Sequence, residues 1–180
     1  VTCLCSTVGL VFTTSSSPIS RAIRFFTGSE VSHVAVGVQL FGERVLLHAA
    51  LDGDVSGVQV TTRERWLEKN ELVAEYEVIP DVSANVGRMV AMIGEKYDVL
   101  GLIGYVLVIA ATWLGKWIEN PLANPKAWVC PRYVLKLDPT SVVVSEWSTL
   151  DSERVTPQDL LSVCQSGSSF RRVIDQTHRC

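Results

Sequence analysis

Ser32-His33-Val34-Ala35-Val36-Gly37-Val38, followed a few residues later by Val45-Leu46-Leu47-His48-Ala49, decides how the chain is read. Both runs are rich in β-branched and apolar residues, and Phe41-Gly42-Glu43-Arg44 between them is a short turn. The pattern predicts an antiparallel hairpin of strands over 31–40 and 45–50, each carrying one histidine. Successive side chains on a strand point to opposite faces. His33 therefore shares a face with Ala35 and Gly37, opposite Val34, Val36 and Val38.

Working outward, residues 8–12 predict a strand that enters a Thr/Ser-rich turn. Pro18 stands where helices begin, 19–26 has helical apolar spacing, and Gly28 closes it. Residues 51–57 carry turn chemistry, and 58–61 read as a short strand. Thr62 resembles an N-cap for a helix over 63–69. A β run over 72–79 ends at Pro80, and 83–96 predict an amphipathic helix. Cys130 opens a helix to 137, 141–144 read as a β run, and Thr156-Pro157 starts a last helix. Residues 170–174 supply an edge strand. A short antiparallel sheet with segregated helices is α+β, and 180 residues fit one domain over 1–180.

Composition narrows the function classes. Apolar residues make up 47% and charged residues 19%, which suits a packed globule. A formal charge of -3 leaves no basic footprint for nucleic acid. The cysteines are odd in number (Cys3, Cys5, Cys130, Cys164 and Cys180) and no cationic leader with a cleavage site is visible. Cytoplasmic synthesis in a reducing compartment is expected. Residues 99–114 carry no charge but fall short of the roughly 20 apolar residues of a spanning helix. They read as a buried helix, or as an apolar element that touches membrane, acyl chain or partner protein.

Cys130 carries the chemistry. Pro131 after it fits a first helical turn, which makes Cys130 the expected N-cap, with its sulfur at the positive end of the helix. That placement, and a nearby imidazole, would lower the thiol pKa. Its backbone N–H could join an oxyanion hole. With one of His33 and His48 as base and the other as orienter, the set would be a thiol triad. Taken singly, each of the three also fits a structural role in a core. His178 lies in a polar tail and reads as solvated. Cys3-x-Cys5 is too tight for a zinc pair, so no metal is expected, and no motif implies a cofactor.

Several of these pieces together resemble a known family. Ser32 to Gly37, Leu47-His48-Ala49, the step Tyr97-Asp98-Val99-Leu100-Gly101-Leu102 and Val129-Cys130 are similar, in order and spacing, to circularly permuted papain-like hydrolases. These form the YiiX-like and LRAT-like branch of the NlpC superfamily. The resemblance implies a permuted papain-like (NlpC-type) fold with an apolar insertion at about 99–118. It implies nucleophile Cys130, base His33, third residue His48, and Tyr97 lining the substrate pocket. Many YiiX-like members follow the cysteine with Ser-Glu, whereas this chain has Pro131-Arg132, so substrate preference does not carry over.

The leading expectation is a cysteine peptidase or amidase that cleaves an amide bond, as in peptidoglycan peptides, through an acyl-thioenzyme. Phage-type members make virion association an allied expectation. The alternatives are an acyltransferase or thioesterase acting on lipid or thioester substrates, and a virion structural protein that retains the fold.

Overall fold

The computed structural model describes residues 7–40, 42–52, 55–116, 118–122, 124, 127–152 and 154–173. Cys3, Cys5, His178 and Cys180 lie outside them. The strands are β1 (Val8–Thr14), β2 (His33–Leu40), β3 (Glu43–Asp52), β4 (Val55–Thr62), β5 (Glu71–Val78) and β6 (Phe170–Arg172). The helices are α1 (Pro18–Thr27), α2 (Arg63–Leu67), α3 (Ser83–Ala91), α4 (Val99–Trp113), α5 (Cys130–Val134) and α6 (Pro157–Ser166). Among the described residues the six strands make one sheet in the order β4-β3-β2-β1-β5-β6, every neighbouring pair antiparallel. The class is α+β.

Alternation along the strands divides the apolar residues between two faces. Leu10, Phe12, Val34, Val36, Leu47 and Tyr76 face a large core completed by Met89 of α3, Tyr133 of α5 and Leu160 of α6. Val11, Ala35, Leu46 and Ala50 face the other way, onto a small cluster roofed by Trp66 of α2. β1 sits centrally and is buried along its whole length.

Local signals place several helix ends. Ser17 accepts from Ser20 N–H ahead of Pro18, and Gly28 ends α1 in the left-handed region at φ 62°. Thr156 and Asp159 form a reciprocal capping box ahead of α6. Two expectations need correction. The expected turn over 51–57 is mostly strand, because β3 runs through Asp52 and β4 begins at Val55. The β run expected at 141–144 is not a strand. The buried Asp138 carboxylate accepts from Val143 and Val144 N–H at 2.8 and 2.7 Å, so those donors are unavailable to a ladder.

α3 also ends earlier than its apolar spacing suggests. Residues 92–95 turn back, Glu95 O accepts from Val58 N–H at 2.8 Å, and Gly94 N–H reaches Val58 O at 2.8 Å. Gly57 permits this approach: its φ is +145°, and a Cβ there would lie 2.4 Å from Glu95 O.

Candidate active site

Cys130 is the first residue of α5, but the N-cap is Val129, in extended conformation, and Pro131 follows within the first turn. The expected capping role for the cysteine is thus corrected by one position. So is the expected direction of its ionisation. Burial pushes the Cys130 thiol up to about 12, and the backbone N–H groups of Val34 and Cys130 oppose this only in part. A helix of five residues has little macrodipole to set against desolvation. The resting thiol is neutral.

The sulfur still occupies a telling place. β2 and β3 pair only from Val36 opposite Leu47 onward, so the start of β2 is not laddered to β3. α5 packs on β2 and β3 there. Val34, whose N–H acts on the thiol, directly follows His33. Tyr97 and Trp128 form a short parallel bridge, with Asp98 N–H to Trp128 O and Trp128 N–H to Lys96 O, both 2.9 Å. The bridge ties the segment before α4 to the segment before Cys130.

A pocket opens over this junction. Ile23, Phe26, Leu102, Val129, Pro131 and Val155 give it apolar walls, and Ser32, Tyr97, Asp98, Cys130 and Arg132 also line it. Tyr97 is therefore beside the nucleophile candidate. Its phenol is held well above the usual range, first by burial and then by Cys130 and Asp98. The Asp98 carboxylate accepts from Gly101 N–H at 2.7 Å and Asn124 N–H at 2.8 Å, which caps α4. An aspartate just ahead of an apolar helical run is a readable cap signal.

The two histidines meet each other. His33 Nε2 lies 3.0 Å from His48 Nδ1, and His48 Nε2 lies 3.3 Å from Thr61 Oγ1. Trp66 packs on both rings, with centroids 4.9 Å from His33 and 4.5 Å from His48. This is the Ala35 and Leu46 side of the sheet, whereas Cys130 belongs to the large core with Val34. Among the described residues Cys130 has no hydrogen bond to either imidazole, and His33 Nδ1 has no partner. The face that His33 shares with Ala35 is thus covered next to His33 by Trp66. Sequence reading overlooked both Trp66 and Thr61.

His33 is held well below 6.5, first by burial and then by the neighbouring His48. The fold keeps this imidazole neutral, while the unfolded chain takes up a proton below 6.5. Stability from this group is therefore complete above pH 6.5 and is lost as pH falls toward the folded-state value. The urea midpoint should fall between pH 6.5 and 5, by up to about 1.4 kcal/mol per pH unit for one proton. His33→Gln should flatten that limb, and an unchanged slope would refute the assignment.

No protein-family model matches the chain, and no curated protein matches it. Among solved structures, the chain is similar to the metalloprotein yiiX from Escherichia coli. The TM-score is 0.50 at 16% identity, covering 93% of this chain and 96% of that one. The likeness is one of fold. Among the described residues no group of three or more His, Cys, Asp or Glu is placed to hold a metal ion.

Proposed function

We propose that the chain is a cysteine hydrolase of the circularly permuted papain-like type, acting through an acyl-thioenzyme at Cys130. One observation carries the reading: the thiol lines a pocket together with Ser32, the residue that directly precedes His33, and His33 is linked to His48. The motif resemblance around His33, His48 and Cys130 and the fold likeness to yiiX support it from separate directions.

With thiol and imidazole both neutral at rest, proton transfer accompanies attack and no ion pair precedes it. His33 Nδ1, the nitrogen without a partner, takes the thiol proton as Sγ bonds to the carbonyl carbon. Nearby N–H groups hold the oxyanion. The tetrahedral intermediate collapses, the leaving amine or alkoxide takes the proton from His33, and the acyl group stays on sulfur. Water, deprotonated by His33, then releases the acid.

The pocket favours an acyl-chain substrate over a peptidoglycan peptide. Its walls are largely apolar, and α4 continues that character outward. Gly101, Gly104 and Val108 are buried, while Leu100, Ile103 and Leu107 are 61, 51 and 47% exposed. This corrects the expectation of a buried helix. α1 packs on α4 and exposes Phe25. No helix of the described residues is long and apolar enough to cross a membrane. Contact with a lipid surface through this face is part of the proposal.

The test uses p-nitrophenyl acetate, p-nitrophenyl octanoate and a muropeptide, with adducts mapped by mass spectrometry. The expected result is an acyl adduct on Cys130, faster with octanoate than acetate, and absent in Cys130→Ala. Muropeptide cleavage without ester turnover would move the substrate back to an amide in cell-wall peptide. No adduct and no cleavage would overturn the enzymatic reading in favour of a structural role, such as in a virion.

A further inference from the structure

α1 and α4 carry more apolar residues than the fold uses. On α1, Ile23 and Phe26 line the pocket over Cys130, while Pro18, Ala22 and Phe25 share another side of the helix with Arg21. Pro18, Arg21 and Phe25 are exposed on that side. On α4, Gly101 and Leu102 line the same pocket, while Leu100, Ile103 and Leu107 face solvent. A helix that is apolar all round is ordinarily surrounded by a core or by lipid. α4 is too short to span a bilayer, so lipid would have to meet it side-on.

The charges around these helices have one sign. Neither α1 nor α4 contains an aspartate or glutamate, and α4 has no charged residue at all. α1 carries Arg21 and Arg24, and neither is in an ion pair among the described residues. Arg24 also borders a cleft with Glu68, Lys69 and Glu71, which leaves Arg21 as the less shared charge. Arg21 stands one turn before Phe25, so the two side chains are neighbours on the helix surface. A long arginine stem can lie along apolar groups while its guanidinium reaches out to an anion. The whole chain carries a formal charge of -3, so attraction to an anionic surface has to be local to such a patch. The exposed side chains of the two helices are too few to hold a second copy, since a stable interface takes roughly 20–30 residues a side.

We propose that the exposed sides of α1 and α4 dock the protein on an anionic lipid surface. Phe25, Leu100, Ile103 and Leu107 enter the acyl layer, and Arg21 is held by the anionic headgroups. Lipid as the occupant rests on the acyl-chain reading of the pocket given above. α1 packs on α4, and both helices line the pocket over Cys130, so docking brings that pocket to the bilayer. Docking itself is read without turnover, so it can be tested apart from the chemistry at Cys130.

The experiment is co-sedimentation of the full chain with vesicles, either of phosphatidylcholine alone or of equal parts phosphatidylcholine and phosphatidylglycerol. The protein should pellet with the anionic vesicles, much less with the neutral ones, and raised salt should release it. Arg21→Gln should weaken partitioning about fivefold, the worth of one basic residue at an anionic surface, and Arg21→Lys should restore it. Leu100→Ser should weaken it about tenfold through lost apolar burial. Circular dichroism checks that each variant is folded. Equal partitioning on the two vesicle types, or an Arg21→Gln chain that partitions like the wild type, overturns the proposal. So does self-association that Leu100→Ser abolishes, without vesicle binding, which would give the face to a second copy. Vesicle binding as expected, with no acyl adduct on Cys130 from p-nitrophenyl octanoate, would keep the docking face and remove the enzymatic reading. An adduct without vesicle binding would do the reverse.

Discussion

Glu75→Ala is expected to destabilise the protein by about 1–3 kcal/mol, because the carboxylate is buried while both guanidiniums it binds are partly exposed. Glu75 lies on β5 opposite Val11 and is 3% exposed. Arg44 Nη2 reaches one carboxylate oxygen at 2.5 Å, while Arg63 Nε and Nη2 reach the other at 3.3 and 3.1 Å. The two guanidiniums therefore converge on a single negative charge on the small-core face of the sheet. Gly9 on the neighbouring strand lets β5 approach closely, since a Cβ there would sit 2.7 Å from Tyr76 O. Removing the carboxylate leaves two like charges over an apolar cluster. Replacing Glu75 by Leu together with Arg44→Met and Arg63→Met should recover most of the loss, since an apolar substitute for the whole cluster has no unpaired charge to bury. Urea unfolding of the single and triple variants measures both effects. A loss below about 1 kcal/mol in Glu75→Ala would place the cluster among ordinary surface pairs.

Alkylation of Cys130 in the native chain at pH 8 is expected to be about a thousandfold slower than in the urea-unfolded chain. Thiolate is the reacting form, and the rise from 9.0 to about 12 removes about three decades of it. The sign follows from the physical cause. Burial disfavours the anion, so the rate should climb with pH well beyond the range where an exposed cysteine levels off. Cys164 is also buried and its thiol is likewise raised, by desolvation and then by Glu146, so labelling must be located by peptide mapping. A fast native reaction with an apparent pKa under 8.5 would mean that imidazole and backbone N–H groups outweigh burial. The thiol would then rest as an ion pair with His33.

Much of the sheet was legible because alternation is a local signal. The strands bearing His33 and His48, their antiparallel pairing and their opposite-facing valines follow from the residues between 31 and 50. The caps at Thr62 and Thr156 were equally local, each a hydroxyl ahead of a helix. Period two assigns His33 to a face but cannot say what covers that face. Trp66 comes from a five-residue helix with too few positions to show a pattern, and Thr61 from the strand before it. The ionisation of Cys130 was misjudged for a related reason. Position at a helix start is written in the sequence, whereas desolvation depends on packing by distant elements. The uncharged stretch 99–114 suggested burial, but Gly101, Gly104 and Val108 mark the buried side while Leu100, Ile103 and Leu107 face outward.

The strand order has a consequence for synthesis. β1 to β4 pair as successive neighbours within residues 8–62, so these contacts have low sequence separation and can form early. Cys130 is translated well after the hairpin that holds both imidazoles. A chain emerging from the ribosome can thus bring the two imidazoles together while Cys130 is still unmade. Until α5 docks, the new thiol is an ordinary exposed cysteine, open to oxidation and stray electrophiles. Docking quenches that hazard, and the vulnerable interval lasts only as long as the second half of the chain takes to arrive and pack.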